Sequence, residues 1–220
     1  MEGTGDYPYN NQVRRNTEEH VLSQTHDVFV SCVQERIRID VERDESRLTP
    51  STPRGTFQEL TRTVHYRDRS AADIGRRLAE MGDKIFQEHS KEFKDMKREL
   101  ESKKTSTYDS FKLIAQRIFV DKEVHWGRIS ALFSFGYYLF KDVIWHVASN
   151  IAQVVTDIAS SIARVFKDSV HGIAQWIVRQ GGWSSAISVS GPSNRPVVFW
   201  GIIGAAAVTI GAVVWLKSGK

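Results

Sequence analysis

The side chains available for a catalytic or metal site are seven histidines, one cysteine and 26 acidic residues, and their spacing builds neither. His20, His26, His65, His89, His125, His146 and His171 never stand four apart, the separation that puts two ligands on one helix face, and HExxH is absent. No phosphate loop, dinucleotide fingerprint or nucleophile elbow occurs. Cys32 falls in an apolar stripe with Val21, Thr25 and Val28, where a buried inert thiol is expected rather than a nucleophile. A single cysteine also excludes an internal disulfide framework. No enzyme, metal site or cofactor is expected. The informative pattern is one of binding surfaces. Ile74, Leu78, Met81 and Ile85 stand at i, i+4, i+7 and i+11, one face of a helix, with Gly82 and Asp83 beside it. Glycine costs a helix interior up to about 1 kcal/mol relative to alanine, so Gly82 suggests the close approach of another backbone. The spacing alone would serve any helix facing a core.

The elements that must position these residues are helical. Thr17 followed by Glu18 and Glu19 is a helix start, with a side-chain acceptor at the cap and acids at the positive dipole end. The stripe from Val21, widened by Leu22, Phe29 and Val33, predicts an amphipathic helix from 17 to about 38. The charged stretch after Glu35, followed by Pro50 and Pro53, is read as a flexible loop over 41–56. Further helices are predicted over about 69–89, 91–103 and 108–119. Between Ile129 and Ala163 only Lys141, Asp142 and Asp157 carry a formal charge, with apolar residues on every side of a helical projection. Two helices, about 126–146 and 151–166, would form a hairpin at the centre of the fold. Shorter helices over about 169–180 and 183–187 flank Gly181-Gly182, and the strand signal is negligible. The class is all-α.

The 220 residues, 41% hydrophobic and 25% charged, fit one helical domain over 16–189. The net charge of +4 is not a nucleic-acid signal, because basic and acidic residues interleave. Residues 1–15 are polar and expected to be disordered, with no apolar core of a signal peptide. The other end is the reverse: Val197 to Leu216 is 20 residues without a charge, long enough as a helix to cross a hydrocarbon core. Trp200 and Trp215 stand near its ends, and Arg195, Lys217 and Lys220 flank it. A turn-rich linker, 190–196, precedes it. The expectation is a transmembrane tail anchor with the remainder cytosolic; a buried core helix is the alternative.

Three motifs in order resemble those of the Bcl-2 family. Leu78-Ala79-Glu80-Met81-Gly82-Asp83, with Ile74 and Ile85, resembles homology motif 3. Trp126-Gly127-Arg128 followed by Phe135-Gly136 resembles motif 1, and Gln175-Trp176-Ile177 followed by Gly181-Gly182-Trp183 resembles motif 2. With the tail, the resemblance spans nearly the whole chain. Within the family it is similar to the pro-apoptotic effectors, through Glu92-Phe93 and the Phe135-Gly136-Tyr137-Tyr138-Leu139 stretch. His125 departs from the family's usual asparagine, which is the better helix cap.

The resemblance implies a bundle around the hydrophobic hairpin, with a surface groove that accepts a motif 3 helix. It implies that Asp83 of one molecule meets Arg128 of another, that Gly82 gives the clearance, and that two copies exchange motif helices. The implied function is an effector that binds homology-3 helices, changes conformation, oligomerises and permeabilises the mitochondrial outer membrane. Partners would be other family members, further copies and lipid, with no nucleic acid; the endoplasmic reticulum stays open as a location. A pro-survival relative that sequesters such helices shares all three motifs, and four large anchor residues favour the effector over it. An ordinary tail-anchored adaptor is the third reading, and it would tolerate substitution of Gly82 and Asp83.

Overall fold

The computed structural model describes residues 17–43, 69–103, 106–146, 151–169 and 172–188. Seven α-helices and one 3-10 helix occur among them, and no strand. They are α1 (Glu18–Arg43), α2 (Arg69–Glu88), α3 (Ser90–Lys103), α4 (Thr107–Ile118), α5 (Trp126–His146), α6 (Ile151–Asp168), α7 (Ile173–Arg179) and the closing 3-10 helix, Trp183–Ser188. The expected N-terminal segment, the linker and the apolar stretch 197–216 lie outside the described residues. Among those described, no helix is long and apolar enough to cross a membrane.

Local chemistry sets the helix starts. Thr17 caps α1, its hydroxyl accepting the His20 N–H at 3.2 Å. Ser106 caps α4 and accepts from the Asp109 N–H at 3.1 Å, while its own hydroxyl donates to the Asp109 carboxylate at 2.6 Å. His125 stands before α5, and its carbonyl accepts the N–H groups of Arg128 and Ile129 at 3.0 and 3.2 Å.

Helix α1 runs further than expected. Residues 41–43, read as the start of a loop, are its last turn, and only 44–56 of that loop fall outside the described residues. Its charged end is held by ion pairs: Arg38 to Glu35 and Glu42 on the same helix, and Asp40 and Arg43 to other helices. Density of charge signals a loop only when the charges lack partners at i+3, i+4 or across a helix contact.

The centre of the bundle is shared differently from the hairpin expectation. In α5, residues 128–137 are buried without interruption, so the continuous apolar reading holds there. Helix α6 is one-sided. Ile151, Val155, Ile158, Ala159, Ile162, Val165 and Phe166 are buried, while Gln153, Thr156, Asp157, Ser160 and Arg164 form an exposed stripe. Low formal charge over 35 residues hid a polar face made mainly of neutral side chains.

The second surrounded element is α1, in which residues 28–34 are all buried. It packs along α2 on one side and α6 on another, and also touches α5 and α7. Phe29 meets Phe133 of α5 edge-on, ring centroids 5.4 Å apart. Trp183 donates its indole N–H to the Val21 carbonyl at 2.9 Å.

Two glycines let α2 enter this core. A Cβ on Gly75 would lie 2.4 Å from the Ser31 Cβ and 2.7 Å from the Cys32 nitrogen, so α1 and α2 touch backbone to backbone. A Cβ on Gly82 would meet the Ser134 hydroxyl at 2.0 Å and the Ser130 carbonyl at 3.2 Å, both on α5. A serine hydroxyl can rotate aside, whereas a helix backbone must move bodily. Gly75→Ala is therefore expected to cost about 2–3 kcal/mol, and Gly82→Ala less than about 1.5 kcal/mol because helix propensity offsets part of the crowding. Urea unfolding of the two variants tests this order; equal costs would refute the backbone contact at Gly75.

Candidate functional site

Motif 3 lies on α2, and the structure turns its apolar face inward. Ile74, Leu78 and Met81 are buried, Gly82 and Asp83 are buried beside them, and Ile85 is partly covered by the same core. Fully burying side chains of this size is worth roughly 1.5–3 kcal/mol each, so α2 is a structural element of the folded chain and its apolar face is not on display. Met81 reaches α5, where the Ser130 hydroxyl approaches its sulfur at 4.0 Å.

Asp83 is the polar end of this face, only 7% exposed, and it is heavily partnered. Arg36 donates to one carboxylate oxygen at 2.6 Å and Arg43 to the other at 2.6 Å; the Gln87 amide adds a bond of 2.6 Å. Burial opposes the charge on Asp83, but the guanidinium groups of Arg43 and Arg36 outweigh it and hold the carboxyl below the ordinary aspartate value. Arg36 is itself only 2% exposed and lies over the Tyr137 ring at 5.1 Å and the Phe86 ring at 5.8 Å. One carboxylate on α2 thus neutralises a cation sealed inside the α1 contact.

Motifs 1 and 2 meet at one end of the bundle. Trp126 sits edge-on to Trp176 at 5.2 Å and tilted against Trp183 at 5.8 Å. Phe133 and Phe166 extend this cluster. Ile177 and Gly182 are buried within it. Gly181 and Gly182 have φ of +99° and +85°, the left-handed region that releases the chain from α7 into the 3-10 helix. Gly136 is buried where a Cβ would meet Phe29 at 2.8 Å, so it admits α1 against α5. Gly127 is half-buried.

Arg128 is buried at the start of α5, with its guanidinium paired to Asp121 in the turn after α4 and bonded to the Glu123 carbonyl at 2.6 Å. This clamp spans Lys122, whose φ of +65° is unusual for a side-chain-bearing residue. The hydrogen bond from Arg128 lowers the Asp121 pKa to about 2. The structure therefore does not bring Asp83 and Arg128 together within one chain; each has an intramolecular partner. Cys32 is buried and its thiol is pushed up to about 12 by burial, as expected of a core residue.

Residues that sequence reasoning passed over are Arg36, Arg43, Gln87, Asp121 and Gly75. A signal existed for Arg36, which extends the Val21–Thr25–Val28–Cys32 stripe by one turn and so places a cation on a buried face. No local pattern marks Arg43, whose partner stands 40 residues away.

The family of apoptosis regulator proteins, Bcl-2 family, matches residues 78–183. The chain belongs to the Bcl-2 family. It is similar to the Bcl-2 homologous antagonist/killer of Homo sapiens, 30% identical over 188 residues, which cover 85% of this chain and 83% of the relative. It is also similar to Bcl-2-like protein 1 of Gallus gallus, 29% identical over 129 residues covering 55% of this chain and 50% of that protein. The crystal structure of chicken BOK shares the fold, with a TM-score of 0.53 at 18% identity, covering 78% of this chain and 98% of that one.

Asp83→Asn is expected to lower stability by about 3 kcal/mol, because it leaves Arg36 buried without its counter-charge. Amide exchange should rise over residues 28–37 of α1 before the rest of the bundle opens; unchanged exchange there would refute the role of the carboxylate. The pH dependence has a definite sign. Asp83 and Asp121 both ionise below 3.8 in the folded chain, so their stabilisation is fully present above that value. It is lost as pH falls toward the folded pKa of each, about 2 for Asp121. Urea midpoints measured down the acid range should fall less steeply in Asp83→Asn than in the parent chain.

Proposed function

We propose that this chain is a pro-apoptotic effector of its family: it receives a homology-3 helix in a surface groove, releases α2, exchanges that helix with a second copy and permeabilises the mitochondrial outer membrane. The observation that carries this reading is the condition of α2. It bears a full set of large anchors and the motif carboxylate, as a ligand must, yet Ile74, Leu78, Met81 and Asp83 are buried against α1 and α5. A helix that serves as a ligand must leave that core, so the function requires a second conformation, and an incoming helix drives it by binding the open state better. Similarity to a relative named antagonist/killer over most of the chain supports the same side of the family.

In the exchanged state Asp83 gives up Arg36 and Arg43 and meets Arg128 of the receiving copy, while Arg128 turns from Asp121. A planar guanidinium suits the carboxylate, and the contact is reciprocal about a twofold axis. The apolar side of the α5–α6 hairpin then has lipid as an alternative solvent. The segment 197–216 serves as a tail anchor, with residues 17–188 on the cytosolic side.

Dye release from liposomes of outer-mitochondrial-membrane composition tests this. The 220-residue chain should release dye only when a homology-3 peptide is added. Asp83→Ala should loosen α1 and yet reduce release by about tenfold, since the same carboxylate serves latch and exchange; Arg128→Ala should reduce release comparably. Protection of the liposomes from a separate effector, with no release by this chain, would make it a pro-survival member instead.

A further inference from the structure

The α3–α4 pair does not close fully on the α5–α6 pair. Between them lies a cavity of about 360 Å³, the room of about a dozen water molecules and within the range that holds small ligands. Its walls are aliphatic: Leu100 of α3, Leu139 and Val143 of α5, Val154 and Ile158 of α6. Leu100 and Ile158 are buried, but Leu139, Val143 and Val154 are only partly covered, so the cavity keeps apolar area that an occupant can still take out of water. Its charged residues divide in two. Lys97 of α3 is committed: it bonds the Asp142 carboxylate of α5 at 2.6 Å and pairs with Glu101 at 3.0 Å. Asp157, exposed on α6, accepts the Gln153 amide at 2.7 Å and pairs with no cation among the described residues. An anion in the cavity would face Glu101, Asp142 and Asp157, whereas a cation on Asp157 gains a partner without displacing Lys97.

We propose that this cavity binds a small amphipathic amine, its apolar body against the five aliphatic side chains and its protonated nitrogen on the Asp157 carboxylate. The two halves of the ligand answer two separate features of the cavity. The walls supply most of the affinity, by removing apolar surface from water. The carboxylate selects the charge, and because it stands in solvent an ion pair there contributes modestly. A neutral body of the same shape therefore binds more weakly, and a carboxylic acid more weakly still. The occupant touches α3, α5 and α6 at once, so it raises the stability of the folded chain by mass action. The site uses neither α2 nor the aromatic cluster of motifs 1 and 2, so it stands whichever side of the family the chain serves.

Methyl NMR of the 220-residue chain in phosphatidylcholine nanodiscs tests this, with phenylbutylamine, phenylbutanol and phenylpentanoate as probes of one shape and three charges. Saturable shifts are expected at the methyl groups of Leu139, Val143, Val154 and Ile158. The amine should bind about three- to fivefold more tightly than the alcohol, with the acid weakest. Partition of a probe into the nanodisc lipid gives a linear response and is told apart by that. Asp157→Asn, on the exposed side of α6 where folding is least at risk, should bring the amine to the level of the alcohol and leave the alcohol unchanged. Val154→Trp, which fills the cavity, should remove the binding of both. The thermal midpoint should rise with the amine in the parent chain and stay constant in Val154→Trp. The proposal is overturned if no probe gives saturable shifts at these methyl groups, if amine and alcohol bind alike, or if Asp157→Asn keeps the preference for the amine.

Discussion

The contact between α1 and α2 is the constraint on which the remaining structure depends. Gly75 lets the two backbones touch at Ser31 and Cys32. Contact that close puts Arg36 inside the interface, and an enclosed guanidinium is tolerable only with a counter-ion at hand. Asp83 supplies it, two turns further along α2 from Gly75. Apolar packing and the buried ion pair therefore fail together: separating the helices exposes Ile74 and Leu78 to water and parts Arg36 from its carboxylate in the same motion. That coupling makes α1 and α2 hold or part as one unit.

The same coupling explains why the motif residues are arranged as they are. Gly82 faces α5 and Gly75 faces α1, and the closing 3-10 helix packs on α2 as well, so this helix has little free apolar surface. Buried pairs of this kind add little net stability compared with apolar packing, but removing one partner is costly. In the proposed mechanism this asymmetry is useful, since Asp83 leaves only when Arg128 of another copy takes up its charge. Arg128 meanwhile is not idle in the closed chain. It clamps the turn before α5 through Asp121 and Glu123, where Lys122 holds an uncommon backbone conformation, so the receiving end of the exchange is structurally committed as well.

Motifs 1 and 2 contribute in another way. Trp126, Trp176 and Trp183 converge with Phe133 and Phe166 into an aromatic cluster, and Trp183 ties that cluster to the first helix through the Val21 carbonyl. Their large, stiff rings fix the ends of α5 and α7 with little loss of side-chain entropy. The 3-10 helix that carries Trp183 also packs on α2, so in the proposed mechanism the release of α2 must part that contact as well.

Much of this was legible in the sequence. A period of three and four placed α2, and apolar composition between breaks placed α4 and α5, within a residue or two of their observed bounds. The four anchors were visible from the same period, with Gly82 and Asp83 beside them, and the ordered motifs gave the family. The polar stripe of α6 was present but diluted by averaging over the whole hairpin, and the last turn of α1 was mistaken for a loop because its charges find partners that a sequence does not pair. What only the tertiary structure decided is which groups meet across long separations. Arg36 and Arg43 reach Asp83 over 47 and 40 residues, Asp40 reaches Tyr137 over 97, and Gly75 meets Ser31 across the chain segment between the first two helices. Local periodicity determines which face of a helix is buried; it carries no information about which buried face lies opposite, and here that pairing sets the motif carboxylate between two arginines of α1.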